Sequence, residues 1–177
     1  MGIYSYCLEG IARYSKIDNV KSPEDLLRFM KDIKYKHTGY FLSSDEVISK
    51  KYGDCHDQSN LEYEVLKELG FKCGRLFMVE YIDWNSPGGA THTLTWFIKN
   101  NKYFWFENAW GNNKGIHGPY KDLDELKEAV YNKWNFSKSF DKLFMSNVGK
   151  VKPGMDLGEY VVACTPEKEP KKYFKRT

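Results

Sequence analysis

The sequence predicts an α+β domain in which N-terminal helices, one of them opened by a cysteine, pack on an antiparallel β-sheet. Helix signals concentrate before residue 70, whereas β-branched and aromatic runs follow from residue 72 onwards. Of the 177 residues, 41% are hydrophobic and 16% are aromatic, which is enough for a packed interior. No internal repeat or dividing linker is visible, so we expect a single domain over 1–165 and a charged, flexible tail over 166–177.

Capping residues predict where the first helices begin. Apolar side chains at helical spacing over 3–16 predict a short helix near the N-terminus. Ser22, followed by a proline and two acids, predicts the start of a second helix, because serine caps and proline fits the first turn. Ser43 or Ser44 is expected to begin a third helix, and Glu46 can complete a capping box with Ser43.

A cysteine is expected to begin the next helix. Asp54 has the residue type of an N-cap, which makes Cys55 the first helical residue, and the helix should end near Leu69 before Gly70. A helix N-terminus carries partial positive charge, which lowers the pKa of a thiol placed there. The free backbone N–H groups of the same turn can also hold an oxyanion. Cys55 therefore has the setting of a nucleophile rather than that of a buried structural cysteine.

β-branched and aromatic runs predict the strands of the second half. We expect strands over 75–82, 91–98, 103–110, 140–146 and 159–165, a helix near 121–134, and loops over 83–90 and 112–118. The four residues from Lys99 to Lys102 separate two of these runs and signal a β-hairpin. The hairpin carries the next candidates, a histidine on its first strand and an acid on its second.

Strand parity decides which side chain lies beside the histidine. A hairpin loop of two or four residues puts Ala109 opposite His92 and makes Glu107 a diagonal neighbour of His92 on the same face. Asn108 then points to the other face, and only a three-residue loop would bring it to His92. We therefore predict Cys55, His92 and Glu107 as nucleophile, base and orienting acid, with Asn108 as the alternative third member.

The order of these motifs resembles the transglutaminase-like cysteine enzyme superfamily. The matching segments are Gly53-Asp54-Cys55-His56-Asp57, Thr91-His92-Thr93 and Trp105-Phe106-Glu107-Asn108-Ala109-Trp110. In that family a catalytic cysteine opens a helix after glycine, a histidine lies on a strand, and an acid lies on the next strand, often with a tryptophan shortly after. The resemblance covers about residues 40 to 110 and implies a transglutaminase-like or papain-like core.

The resemblance implies a cysteine-dependent acyl-transfer enzyme. Such an enzyme would attack an amide, either a peptide bond or a glutamine side chain, through a thioester acyl-enzyme. Hydrolysis is expected ahead of cross-linking, because a small domain offers little surface to hold two protein substrates. The family acid is commonly Asp followed by Pro, whereas here Glu107 is followed by Asn108. Two alternatives stay open: a non-catalytic binding module on the same scaffold, and a papain-like peptidase that uses Cys55, His92 and Asn108.

Other side chains near these motifs have weaker assignments. Tyr40, Tyr52 and Trp84 are candidates for the second oxyanion donor or for substrate contacts. His56 follows Cys55 on a helix and is expected to point elsewhere, as a structural or exposed residue. Because adjacent helix positions do not readily converge on one ion, we expect no metal site, and nothing in the sequence calls for a cofactor.

Composition narrows the class of partner. The net charge of +3 comes from basic residues interspersed with acids, which favours a solvated surface over a nucleic-acid interface. No run approaches a membrane span, and the N-terminus lacks the pattern of a signal peptide. The four cysteines include no closely spaced pair, so we expect free thiols in the cytoplasm. The expected partner is a protein or peptide substrate, and the oligomeric state is left open.

Overall fold

The described part of the chain has the mixed α and β structure that the sequence predicts. A computed structural model describes residues 17, 19–84, 89–137 and 139–176, and the helix predicted over 3–16 lies outside them. The helices are α1 Pro23–Met30, α2 Ser44–Lys50, α3 Cys55–Glu68, α4 Leu123–Tyr131 and α5 Leu157–Cys164. None of these helices is long and apolar enough to cross a membrane. The strands are β1 Lys34–Tyr35, β2 Tyr52–Gly53, β3 Cys73–Tyr81, β4 Thr91–Lys99, β5 Lys102–Glu107, β6 Gly115–Tyr120, β7 Lys142–Asn147 and β8 Phe174–Lys175.

Six strands form one antiparallel sheet in the order β6-β5-β4-β3-β7-β8, and β1 and β2 form a separate parallel pair. The register of β4 with β5 is the predicted one, because Lys99 pairs with Lys102 across a two-residue loop. Asn100 and Asn101 in this loop have φ angles of 53° and 57°. Positive φ at both positions defines the type I′ turn that suits a short hairpin, and asparagine tolerates it better than most residues.

Buried hydrophobic side chains cover both faces of the sheet. On one face α1, α2 and α3 pack around Phe97. Helix α5 adds a cluster on the same face, in which Tyr160 packs with Phe77. On the opposite face α4 contributes Leu126 to a cluster with Trp105. This packing holds α3 against β4, so that the first turn of the helix meets the end of the hairpin.

The strand predicted over 159–165 is wrong, because this segment belongs to α5. Asp156 is the N-cap of the helix, and its carboxylate accepts from the backbone N–H of Glu159 at 2.8 Å. The carboxylate of Glu159 accepts in return from the backbone of Asp156 at 3.0 Å. This reciprocal capping box outweighs the β-branched valines that suggested a strand.

Two further segments differ from the prediction. The loop predicted over 112–118 contains most of β6, whose glycines weaken the usual strand pattern but whose backbone pairs with β5. The charged tail predicted over 166–177 carries β8, which pairs with β7 and puts Phe174 opposite Leu143. In both cases the neighbouring strand supplies backbone partners that local sequence does not reveal.

Candidate active site

The first turn of α3 is built as the sequence predicts. Asp54 is the N-cap, and its carboxylate accepts a hydrogen bond from the backbone N–H of His56 at 3.1 Å. Asp57 completes a capping box by accepting from the backbone N–H of Asp54 at 3.0 Å. Cys55 is therefore the first residue of the helix, and its half-buried side chain lies at the positive end of the helix dipole.

Buried polar side chains tie this turn to the segments around it. The carboxylate of Asp57 accepts from the backbone N–H of Leu42 at 2.7 Å and from the hydroxyl of Thr38 at 2.9 Å. The amide of Gln58 donates to the carbonyl of Gly53 at 2.8 Å. The backbone that presents the candidate nucleophile is therefore held from both sides.

His92 and Glu107 meet where β4 and β5 diverge. Strand pairing ends at Thr95 and Phe106, and the two side chains lie in the gap beyond. Nε2 of His92 is 2.6 Å from Oε2 of Glu107, and both residues are buried. The other carboxylate oxygen accepts from the backbone N–H groups two and three residues later, at 2.6 and 2.8 Å. Glu107 is thus the neighbour of His92 that the hairpin register predicts.

The groups around the thiol favour its ionised form. Burial by itself lowers the pKa of His92, but the charge of Glu107 and hydrogen bonds with Cys55 and Glu107 outweigh it and raise that pKa to about 10. Burial raises the pKa of Cys55, but hydrogen bonds from His56 and His92 outweigh it, so that this pKa is lowered. Since Glu107 holds Nε2, Nδ1 is the ring nitrogen of His92 left to bind the thiol. The surroundings therefore favour the thiolate form of Cys55 and the imidazolium form of His92.

A second buried carboxyl group, Glu62 on α3, lies close to this pair. Burial, and after it the charge of Glu107, raise the pKa of Glu62 well above its ordinary value. The hydroxyl of Thr95 donates to the carbonyl of Ser59 at 2.9 Å, and its effect on Glu62, which lowers that pKa, is outweighed by burial and by the charge of Glu107. These surroundings favour the neutral form of Glu62, and Glu107 is the carboxylate that faces the histidine.

Asn108, the alternative third member, is not brought to His92. Its amide nitrogen donates to the carbonyls of Met30 and Ile33 at 2.9 and 3.3 Å and to the side-chain oxygen of Gln58 at 2.7 Å. These bonds lie on the face of the sheet that carries α1 and α3. Asn108 therefore joins the hairpin to the helices, and the papain-like arrangement with an asparagine beside the histidine is not formed.

His56 lies at the thiol, which the sequence did not lead us to expect. Its side chain is 2% exposed, its Nδ1 lies 2.5 Å from the carboxylate of Asp54, and a ring nitrogen lies within 4.8 Å of the sulfur of Cys55. The expectation that it points away is wrong, because the capping carboxylate also draws the imidazole towards the helix N-terminus. The one signal in the sequence was the acid two residues before the histidine, at the cap of a helix.

The three aromatic residues predicted as oxyanion or substrate contacts lie apart from the cysteine–histidine pair. Trp84 packs among buried aromatic side chains, and its indole N–H donates to the carbonyl of Pro166 at 3.1 Å. The ring of Tyr52 lies 4.3 Å from the ammonium of Lys36, and Tyr40 is 46% exposed. Within the described ranges, none of the three donates a hydrogen bond to the pair, so these assignments lack support.

Tyr35 is a tyrosine that sequence reasoning missed. Pairing of β1 with β2 sets Tyr35 beside Gly53, two residues before Cys55. Burial, and then the charge of Cys55, raise the pKa of Tyr35. The side chain is 54% exposed, and its hydroxyl binds no other group in the part of the chain that the structure describes. A two-residue strand gives no sequence signal, so only the structure reveals this free donor.

A pocket of about 220 Å³ opens beside the histidine. It is lined by Ala90, Thr91, His92, Trp110, Trp134 and Asn135. The fully buried Glu80 fixes two of the lining residues in place. Its carboxylate accepts hydrogen bonds from the indole N–H of Trp134 at 2.8 Å and from the backbone N–H of Ala90 at 3.1 Å. The pocket gives room for a group that enters or leaves on the histidine side of the thiol.

The residue types of a metal site also occur here. Potential ligand atoms of Asp54, Cys55 and His56 lie within 4.8 Å of one another. The Asp54 and His56 atoms are already hydrogen-bonded at 2.5 Å, and an ion between them would have to break that bond. We therefore interpret the three side chains as a hydrogen-bonded charge cluster.

The geometry supplies the parts of nucleophilic catalysis by a thiol. It provides a lowered thiol pKa, a base with a fixed tautomer, backbone N–H groups at a helix start and an adjacent pocket. The chain matches no protein-family model and no curated protein. A function for this chain is therefore argued from the geometry.

Proposed function

We propose that the chain is a cysteine-dependent acyl-transfer enzyme with a transglutaminase-like core. The observation that carries the proposal is the 2.6 Å contact between His92 Nε2 and Glu107 Oε2, made next to the helix that begins at Cys55. A nucleophile, a base and a group that orients the base are the three parts of a catalytic triad. Their order along the chain and their α+β setting support the resemblance to this family.

Acylation begins with the thiolate of Cys55 attacking the carbonyl carbon of an amide. The negative charge that develops on the carbonyl oxygen is held by the backbone N–H of Cys55 and by the hydroxyl of Tyr35. His92 then gives its proton to the departing nitrogen, the carbon–nitrogen bond breaks, and an amine leaves. The carbonyl carbon is now joined to sulfur as a thioester. Glu107 keeps Nε2 of His92 protonated, so that Nδ1 alone exchanges the proton.

Deacylation repeats these steps with water. Neutral His92 takes a proton from the water, whose oxygen attacks the thioester carbon, and the acid and the thiolate separate. Hydrolysis remains our expectation ahead of transfer to a second amine, and the expected substrate is a peptide bond or a glutamine side chain of a protein or peptide. The pocket beside His92 supports the proposal, because it offers room next to the base for the departing amine and the incoming water.

Release of ammonia and new amino groups from a panel of glutamine-containing peptides tests the proposal. We expect turnover by the wild type and none by Cys55→Ala, because the proposed thioester forms on the sulfur of Cys55. Cys73→Ala is the matched control, since Cys73 is also half-buried and burial raises its pKa to about 11. Equal turnover by the two variants would contradict the role of Cys55, and no thioester-linked peptide in the wild type would favour a binding module.

A further inference from the structure

Two histidine–carboxylate pairs flank the thiol of the candidate active site. On one side Nε2 of His92 lies 2.6 Å from Glu107, and on the other side Nδ1 of His56 lies 2.5 Å from Asp54. A ring nitrogen of His56 lies within 4.8 Å of the sulfur of Cys55, and both imidazoles act to lower the pKa of that thiol. One histidine is enough to take up and return a proton, so the second has a separate task.

His56 is enclosed by protein and faces two acids. Its ring centroid lies 5.6 Å from that of Phe41 and 4.8 Å from that of Tyr160. Two carboxylates also lie next to the ring. That of Asp54 is 2.5 Å from Nδ1, and that of Asp57 is 3.5 Å from Nε2. Burial lowers the pKa of His56, but hydrogen bonds with Asp54 and Cys55 and the charges of the two acids outweigh it and raise that pKa to about 10.

The charged and titratable groups around His56 come from several elements. They are Asp54, Cys55 and Asp57 in the cap and first turn of α3, His92 on β4, Tyr160 on α5 and, one layer further out, His37 and Arg75. The groups next to the ring include two carboxylates and the sulfur of Cys55, so acidic groups predominate there. A protonated imidazole is therefore the form that this site stabilises.

We propose that His56 is a second catalytic residue, which stays protonated and holds the Cys55 thiolate while His92 alone moves the proton. This inference rests on the proposed acyl-transfer function. The thiol proton passes to Nδ1 of His92, the sulfur–carbon bond forms, the carbon–nitrogen bond breaks, and the leaving amine takes the proton from His92. His56 keeps its own proton throughout, with Asp54 as its counter-ion. Ionisation of the nucleophile and transfer of the proton are thus assigned to different histidines.

Alkylation of Cys55 by iodoacetamide, followed against pH, separates the two histidines. His92→Gln should lose acyl transfer and yet slow alkylation at about pH 6 by less than His56→Gln does, because His56 still stabilises the thiolate. His56→Gln should slow alkylation at that pH about tenfold or more, which corresponds to a rise of about one unit in the thiol pKa. His37→Gln is the matched control, since His37 lies 3.6 Å from the same Asp54 but is 65% exposed. It should leave the profile unchanged.

Two alkylation results would overturn the proposal. The first is a Cys55 pKa of about 8.5, the ordinary value of a thiol, in the single variant His92→Gln, which still contains His56. The second is an unchanged profile in His56→Gln, provided that this variant unfolds at the wild-type temperature. A purely structural histidine would change the unfolding temperature without moving the thiol pKa.

A second measurement uses the wild-type chain and needs no variant to fold. NMR of the imidazole nitrogens follows the protonation of each histidine from about pH 5 to about pH 9. Once iodoacetamide has capped the sulfur of Cys55, His92 should titrate at a lower pH than before, because the thiolate can no longer stabilise its charged form. His56 should stay protonated through neutral pH, because Asp54 remains. A His56 that titrates near the ordinary value of about 6.5 would overturn the proposal.

Failure of the acyl-transfer function has a different signature. A chain that needs His56 for rapid alkylation and yet releases no amine from any peptide would support the thiolate–His56 pair and refute acyl transfer. An active enzyme whose alkylation profile ignores His56→Gln would refute the role of His56 alone.

Discussion

Replacing Glu107 by Gln should put His92 into the wrong tautomer. One carboxylate oxygen of Glu107 accepts from two backbone N–H groups at 2.6 and 2.8 Å, and the other meets Nε2 of His92 at 2.6 Å. In the variant the amide oxygen has to stay with the two N–H groups, which leaves the amide NH₂ group facing Nε2. Nε2 must then accept, so the ring proton moves to Nδ1, and the nitrogen that faces the thiol is no longer able to take its proton.

The expected loss is large because two effects act together. The wrong tautomer lowers turnover about 10⁴-fold when the acid of a serine–histidine–aspartate triad is changed to its amide. Loss of the carboxylate charge also lowers the pKa of His92 from about 10, and the pKa of Cys55 rises because His92 is one cause of its depression. We expect kcat/KM to fall by about 10³- to 10⁴-fold in Glu107→Gln, while Cys55→Ala should have no turnover.

The assay combines peptide turnover with the pH dependence of Cys55 alkylation. Glu107→Gln should lose turnover, and its alkylation profile should shift to higher pH. The adjacent variant Asn108→Ala serves as the control, because its side chain lies on the other face of the hairpin. Turnover within about tenfold of the wild type together with an unshifted profile in Glu107→Gln would refute the reasoning.

Three further predictions follow from the buried and exposed polar groups of the site. Asn108→Ala should lower the free energy of unfolding in urea by about 2 to 4 kcal/mol, because two carbonyls and Gln58 lose their donor, and its alkylation profile should match the wild type. Glu62→Gln should change that free energy by less than about 1 kcal/mol at about pH 5, because the native residue is already neutral. Since folding raises the pKa of Glu62, its contribution is full below the ordinary pKa of about 4.3 and is lost as pH rises towards the folded value. Wild-type stability should therefore fall more than that of Glu62→Gln between about pH 5 and about pH 8, and equal slopes would contradict the assignment. Tyr35→Phe should reduce peptide turnover about 10- to 100-fold. The alkylation rate of Cys55 should not change, because alkylation forms no oxyanion. Turnover at the wild-type rate in Tyr35→Phe would exclude the hydroxyl as an oxyanion donor.

Local signals predicted the parts of the fold and site that local chemistry controls. The caps at Ser22, Ser43 and Asp54 are formed as expected, because an N-cap needs only a side chain and the next few backbone N–H groups. The hairpin register followed from the length of one loop, and it brought Glu107 rather than Asn108 to the histidine. These features depend on contacts between residues that lie close together along the chain.

The features that the sequence did not predict depend on tertiary contacts. Tyr35 lies beside Gly53, two residues before Cys55, only because β1 pairs with β2, and each of these strands has two residues. The pKa of Glu62 is raised because this residue is buried on α3 and feels the charge of Glu107, which no pattern of polar residues along a helix indicates. Helix α5 was missed for a different reason: its capping box at Asp156 and Glu159 was present in the sequence, but the valines after it were given more weight.

Site-resolved labelling of the cysteines tests the central claim most directly. After brief treatment with iodoacetamide at about pH 6, peptide mapping compares labelling at Cys55, Cys73 and Cys164 in the same sample. We predict that Cys55 is labelled first, because its pKa is lowered, whereas burial raises the pKa of Cys73 to about 11 and also raises that of Cys164. Labelling of Cys55 no faster than labelling of Cys73 would contradict the account of Cys55 as an ionised nucleophile.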